Sequence, residues 1–168
     1  VRVIDANNHT TTYDYDAFGR VTAVTDPERG RTVYSFAGRP PPTKMDQPTS
    51  VTDANGHTTR FTYDAAYRRS QVTNPLGHVT RFAYDMVGNL VQVTDANGKA
   101  TFFVYDANNR LIRVINAHSA SMTSTYDANG NLKTRTDYNG KATSYTYNPR
   151  NLLTQISYPD GATVRYTY

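Results

Sequence analysis

Residues 77–98 read GHVTRFAYDMVGNLVQVTDANG, and the reading of this stretch decides the fold. From His78 to Tyr84 the residue types alternate, with Thr80, Phe82 and Tyr84 on one side, which is the period of a half-buried strand. Asp85-Met86-Val87-Gly88-Asn89 has the composition of a turn. Leu90 to Thr94 is a second short strand, and Asp95-Ala96-Asn97-Gly98 turns the chain again. The stretch is therefore a β-hairpin followed by a turn into the next element.

The same unit recurs along the chain. Tyr63, Tyr84, Tyr105, Tyr126, Tyr147 and Tyr168 are each 21 residues apart. Counting backwards, the position falls on Phe36 and Tyr15, with six extra residues between Phe36 and Tyr63. Two residues earlier stand Tyr13, Tyr34, Phe61, Phe82, Phe103, Ser124, Tyr145 and Tyr166. These two columns hold 15 of the 20 aromatic residues, a concentration that chance does not produce, so the period is structural. Turn glycines keep the same phase. Gly56, Gly77, Gly98, Gly140 and Gly161 close one turn of the unit, and Gly19, Gly88 and Gly130 the other. A further column holds Val21, Leu90, Leu111, Leu132 and Leu153, with Arg69 as its exception.

These observations predict an all-β fold: tandem 21-residue β-hairpin repeats forming a long curved antiparallel sheet. Residues 1–168 are expected to form a single array of about eight units, with an irregular insertion near 38–47 that includes Pro40-Pro41-Pro42. The unit around Asn116–Thr125 lacks its turn glycine and one aromatic, and is expected to be looser than its neighbours. Aromatics two apart share a strand face, so stacked hairpins are expected to set them in ladders across the sheet. The Asn-Gly pairs at Asn55, Asn97, Asn129 and Asn139 predict tight turns, because both residue types tolerate positive φ. Both chain ends fall inside a repeat, so the chain is expected to be a fragment of a longer one.

Composition narrows the function. The formal charge of +4 is modest and the basic residues are dispersed, whereas nucleic-acid binders concentrate them in a patch, so a nucleic-acid partner is not expected. The absence of cysteine rules out a disulfide framework and a thiolate zinc site. No apolar run approaches the length of a membrane-spanning helix, and no signal peptide is expected.

The pattern Tyr-Asp-x-x-Gly-Arg/Asn-Leu/Val resembles the YD or Rhs repeat. It is carried best by Tyr15-Asp16-Ala17-Phe18-Gly19-Arg20-Val21, Tyr84-Asp85-Met86-Val87-Gly88-Asn89-Leu90 and Tyr126-Asp127-Ala128-Asn129-Gly130-Asn131-Leu132. The family includes bacterial Rhs polymorphic toxins, the B and C components of Tc toxins, wall-associated bacterial proteins and teneurins. The resemblance implies a β-sheet spiral that winds into a hollow shell, enclosing a variable C-terminal toxin in the toxin members. It also implies a secreted or cell-surface bacterial protein. The chain departs from the pattern at Ala66-Tyr67-Arg68, at Asn148 and around Phe36.

No catalytic, cofactor-binding or metal-binding residue is assigned. Asp16, Asp64, Asp85, Asp106 and Asp127 recur in one turn and read as caps of backbone N–H groups. Asp127-Ala-Asn129-Gly-Asn131 begins like a calcium loop, but no terminal Glu follows. His9, His57 and His78 hold equivalent places after a turn, with no carboxylate expected at metal-binding spacing. Asp26-Pro27-Glu28-Arg29-Gly30 has a faint likeness to the Asp-Pro element at which family members cleave themselves, and reads here as a turn. Arg60, Arg81 and Arg165 precede the Tyr column by three and are expected to point away from the aromatic face. The chain is therefore expected to be a non-enzymatic, structural β-repeat segment of a shell that encloses or presents a toxin or other cargo. Its expected partners are neighbouring repeats of the same parent chain and an enclosed C-terminal toxin domain. The alternative is a carbohydrate-binding, adhesive or filament-forming module, in which Tyr faces stack on a glycan.

Overall fold

The computed structural model describes residues 1–37 and 47–168. Residues 38–46, which hold nearly all of the insertion expected near 38–47, lie outside the described residues. The chain divides into two units, Val1–Phe82 and Ala83–Tyr168.

In the first unit the strands are β1 (Arg2–Ile4), β2 (Thr10–Tyr15), β3 (Val21–Thr25), β4 (Arg31–Ser35), β5 (Ser50–Thr52), β6 (Thr58–Tyr63) and β7 (Arg69–Thr73). Strand β8 (Val79–Tyr84) runs through the division. The second unit adds β9 (Leu90–Thr94), β10 (Ala100–Tyr105), β11 (Leu111–Ile115), β12 (Ser121–Tyr126), β13 (Leu132–Thr136), β14 (Ala142–Tyr147), β15 (Leu153–Ser157) and β16 (Thr163–Arg165). Within each unit, strands that follow one another in the chain pair antiparallel, β1 to β8 in the first and β9 to β16 in the second. The described residues form no helix.

One turn geometry recurs at both ends of the hairpins among the described residues. At Asp53 the N–H of Gly56 donates to the Asp53 carbonyl at 3.0 Å, and the Asp53 N–H donates to the His57 carbonyl at 3.0 Å. The Asp53 side chain then accepts from the N–H groups of Asn55 and His57, both at 2.9 Å. The same backbone pair recurs at fourteen turns among the described residues, each with positive φ at its fourth position. This is a type I turn followed by a left-handed residue, a common three-residue hairpin connection. The Asn-Gly reading therefore needs correcting. Positive φ falls on Gly56, Gly98, Gly130 and Gly140, while the Asn before each of them takes ordinary negative φ. Glycine is also not essential: Asn8, Arg29, Tyr67, Asn109, Ser119 and Asn151 take the left-handed place at φ of 60–69°. The turn expected to be looser, at Asn116, keeps the same bonds, with the Ala120 N–H donating to the Asn116 side chain at 3.0 Å.

Register corrects a second expectation. Directly opposite four of the first-column aromatics stands a β-branched residue, not another aromatic: Tyr13 faces Val24, Phe61 faces Val72, Phe103 faces Val114 and Tyr145 faces Ile156. Each such aliphatic then faces the following strand's Thr32, Thr80, Met122 or Val164. Each of these rings thus pairs with an aliphatic across the strand, a pairing that contributes about 0.2–1 kcal/mol per pair. The register also slips once in each of these hairpins, always at the second aromatic: Asp14 faces Ala23, yet Tyr15 faces Val21. The bulge brings Val21 and the Leu column onto the aromatic face three residues from the Val column, where simple alternation would turn them away.

Burial is shallow. Among the described residues only Ala23, at 1% exposure, and Val114, at 7%, are buried, and the aromatic columns are mostly half-buried. Stability must therefore come from contacts along and between strands, as in repeat proteins.

Gly98 and Ser119 test the turn. A Cβ on Gly98 would meet nothing within 4 Å, so Gly98→Ala carries backbone strain alone. It is expected to cost about 1 kcal/mol, while Ser119→Gly is expected to gain about 0.5–1 kcal/mol by relieving the same strain. Urea unfolding midpoints should move in opposite directions, and a shift of both in the same sense would refute the shared geometry.

Candidate functional site

Five tyrosines of the second aromatic column fasten their repeats to the chain fifteen residues before them. The Tyr105 hydroxyl donates to the Leu90 carbonyl at 3.0 Å, Tyr126 to Leu111 at 2.9 Å, Tyr147 to Leu132 at 3.0 Å and Tyr168 to Leu153 at 3.0 Å. In the first unit Tyr63 donates to the Pro48 carbonyl at 2.7 Å, again fifteen residues back. Between β9 and β10 the paired register runs from Thr94 to Gln92 and ends there, and the Tyr105 hydroxyl reaches the start of β9 beyond it. Tyr15 stands opposite Val21, and Phe36, which has no hydroxyl, lies under a guanidinium instead.

The turn that follows this column supplies a second fastening. Asp16, Asp64 and Asp106 each hold the Arg four residues on, at 2.6, 2.7 and 2.7 Å. Arg20 also lies 4.4 Å from the ring centroid of Phe36, and Arg110 lies 4.7 Å from that of Tyr126, each ring belonging to the next repeat. Where the turn carries Asn instead of Arg, amides make the link. Asn89 donates to Asn109 at 2.9 Å, and Asn131 donates to Asn151 at 2.9 Å. These Arg and Asn residues were not singled out from sequence, although their column is the Arg/Asn position of the repeat pattern.

The turn carboxylates respond to this setting. The Arg110 guanidinium, followed by the Arg110 N–H, holds the Asp106 carboxyl below its ordinary value. At Asp64 the Arg68 N–H leads the same downward shift. At Asp127 the Asn131 amide leads it, and at Asp16 partial desolvation pushes upward but is outweighed by the hydrogen bonds from Arg20 and Phe18. Loss of water around Tyr147, and then the Asp127 charge, raise that phenol.

The first aromatic column, from Tyr13 and Tyr34 to Tyr145 and Tyr166, lies in or beside the long strands. The Tyr13 N–H donates to the Val1 carbonyl at 2.7 Å and the Tyr166 N–H to the Thr154 carbonyl at 2.9 Å. Tyr34 faces Val51, and Phe82 stands within β8. Gly19, Gly56, Gly77, Gly88, Gly98, Gly130, Gly140 and Gly161 all hold turn positions at φ of 77–101°. Arg60, Arg81 and Arg165 are exposed, and Arg165 donates to the Gln155 side chain at 3.1 Å.

The other row of turns is chemically plainer. His9 and His57 do meet carboxylates, contrary to expectation: each Nδ1 lies 3.2 Å from the Asp four residues earlier, because the turn folds the fifth residue back over the first. His78 meets Asn74 at 3.4 Å. These are isolated pairs, and no group of three or more His, Asp or Glu among the described residues is placed to hold a metal. Tyr13, Phe18, Arg20, Val21, Tyr34, Phe36 and Pro48 border an open groove of about 580 Å³ in the first unit.

An RHS Repeat family model matches residues 1–32, 46–79, 69–100, 84–121 and 126–163. The chain belongs to the RHS repeat family. No curated protein matches it significantly. Among solved structures it is similar to the crystal structure of TcdB2-TccC3, at 14% identity and a TM-score of 0.59, over 99% of this chain and 11% of that one. It is also similar to TcdB2-TccC3 without its hypervariable C-terminal region, at 16% identity and a TM-score of 0.53, over 89% of this chain and 8% of that one. The RHS chain thus spans about a tenth of the length of the first of these structures and less of the second. At such identities the likeness is one of fold.

Two measurements probe the fastening. Tyr126→Phe removes only the hydroxyl and is expected to lower stability by about 0.5–1.5 kcal/mol, read from its urea midpoint, with amide exchange accelerated at Leu111 and Ile112. An unchanged midpoint and exchange would show the bond to be idle. For acid, the folded carboxyls titrate below their unfolded values, so their contribution is complete above about pH 4 and lost as pH falls through the depressed values. Asp106→Asn, which keeps the turn acceptor that Asn148 already supplies elsewhere, should be less stable than the parent at neutral pH. That difference should shrink on acidification, and a gap that widened would reverse the sign.

Proposed function

We propose that this RHS-repeat chain is wall material of a larger shell, and that its role is steric rather than catalytic. The shell would enclose or present a C-terminal toxin or other cargo, in a protein secreted by or displayed on a bacterium. The observation that carries this reading is the fastening of repeat to repeat. Hydroxyl-to-carbonyl bonds recur at each 21-residue step from Tyr105 to Tyr168, alongside continuous strand pairing within the second unit, which makes a sheet without gaps between its hairpins. Family membership supports it, as does the likeness to TcdB2-TccC3, a protein with a hypervariable C-terminal region. Columns of like residues suit a wall, whereas an active site gathers unlike groups at one point. Residues 1–168 act in this reading as one array joined to further repeats of the parent chain.

A second reading, glycan adhesion, draws on the open groove beside Tyr13, Tyr34 and Phe36. Limited proteolysis of the parent protein from its native source separates the two. A shell predicts a C-terminal fragment that resists protease in the intact protein and is digested once the repeats are unfolded. Rapid digestion of that fragment in the intact protein, together with saturable glycan binding lost in Tyr34→Ala, would favour adhesion.

A further inference from the structure

Four Asn-Gly pairs stand at the third and fourth positions of the shared turn: Asn55-Gly56, Asn97-Gly98, Asn129-Gly130 and Asn139-Gly140. All four Asn are exposed. Their inherent chemistry is self-modification. The glycine amide nitrogen attacks the Asn Cγ and a new N–C bond closes a five-membered imide. The Cγ–Nδ2 bond breaks, and ammonia leaves with the proton that the glycine nitrogen gives up. Water then opens the ring at either carbonyl, giving Asp or isoaspartate. The second product threads the main chain through the side chain and adds a methylene to a turn whose bonds fix the hairpin register.

The turn opposes this at its first step. Each of the four glycine N–H groups donates to the carbonyl of the turn's first Asp, at 3.0, 3.0, 3.1 and 3.1 Å. Each Asn N–H is also held by that Asp's side chain at 2.9 Å. The attacking nitrogen is therefore occupied, and the residue carrying the electrophile is fixed in place. Asn129 differs from the other three. It stands in the turn after a long strand, and its Nδ2 donates to the Asn151 side chain of the next repeat at 3.1 Å. Its leaving group is tethered and its side chain cannot swing freely toward the Gly130 nitrogen.

We propose that these four Asn-Gly pairs are the chain's spontaneous modification sites, that the fold slows all of them, and that the bond from Asn129 to Asn151 makes Asn129 the slowest. The assignment rests on turn geometry alone and stands whether or not the parent protein forms a shell. The site class is succinimide-forming asparagine, and no enzyme or cofactor is required. Protection passes from one repeat to its neighbour at Asn129, whereas at Asn55, Asn97 and Asn139 it comes from within the turn.

The test incubates the full chain at mildly alkaline pH, folded and in urea, and follows Asp and isoaspartate at each site by peptide mapping. Dividing the folded rate by the unfolded rate at each site cancels differences in flanking sequence. Every site is expected to slow by about tenfold on folding, and Asn129 by about a further threefold, the order of effect of one or two net hydrogen bonds. Asn151→Gly keeps the left-handed turn residue while removing the tether, and should bring Asn129 to the rate of the other three, which serve as internal controls. Folded rates equal to unfolded ones would overturn the protection. An Asn129 rate that is never distinct, or that Asn151→Gly leaves unchanged, would overturn the tether, as would a variant in which all four sites accelerate alike.

Discussion

The hydrogen bond from a tyrosine hydroxyl to a main-chain carbonyl fifteen residues back joins the repeats of Tyr105, Tyr126, Tyr147 and Tyr168 to their predecessors. Its importance follows from what the sheet lacks. Among the described residues only Ala23 and Val114 are buried, so no packed interior holds the hairpins in place. An isolated hairpin is marginal in water. The aromatic face must therefore be stabilised sideways, by ring against β-branched residue across each strand pair and by hydroxyl against carbonyl where the paired register ends. Tyrosine suits this column because it brings a large apolar body and a polar tip in one side chain. Phenylalanine at residue 36 marks the exception, and there the Arg20 guanidinium over the ring supplies a link of another kind.

The 21-residue period has a mechanical origin. A six-residue strand such as β10, a five-residue turn, a five-residue strand such as β11 and a second five-residue turn complete one repeat. Because the same turn closes both ends of this repeat, and because the Asp106 side chain caps two backbone N–H groups, the register is set by contacts local in sequence. The bulge beside the second aromatic then settles which residues share the aromatic face. Without it the Leu column would lie on the opposite face from the Val column, and Tyr105 would face Ile112 in place of Leu111.

These relations explain what was legible in the sequence and what was not. Strands, turns and period could be read because each depends on residues close in sequence: alternation in His78–Tyr84, the Asp and Gly of each turn, the recurrence of Tyr. The aromatic-to-aliphatic pairing was misjudged because it depends on register between strands, which the bulge shifts by one residue. The left-handed φ at Tyr67 and Ser119 was hidden because neither residue type favours it, and the turn's hydrogen bonds impose it. The hydroxyl-to-carbonyl bond left no trace beyond the tyrosine itself, since any residue supplies a carbonyl. The Arg and Asn links did leave a trace. Their column alternates between the two types, and its meaning becomes readable only when the neighbouring repeat is set beside it.

That last point bears on how such an array tolerates change. Arg110 relies on the ring of Tyr126 in the next repeat, and Asn89 and Asn131 rely on Asn109 and Asn151 at the left-handed place of the next turn. The two solutions are not freely exchangeable within one repeat, because each needs its counterpart one period on. The hairpin around Ser124 extends the argument to the strand face. Serine stands where seven other repeats carry an aromatic, and opposite it stands Arg135 in place of an aliphatic. The Arg135 guanidinium reaches the Met122 sulfur at 3.1 Å, and Met122 in turn faces Val114. Three residues that break the pattern are thus neighbours in space, and the long Arg and Met side chains take up the place that the missing ring vacates. The repeat is a unit of sequence, but the unit of stability is the contact between one repeat and the next.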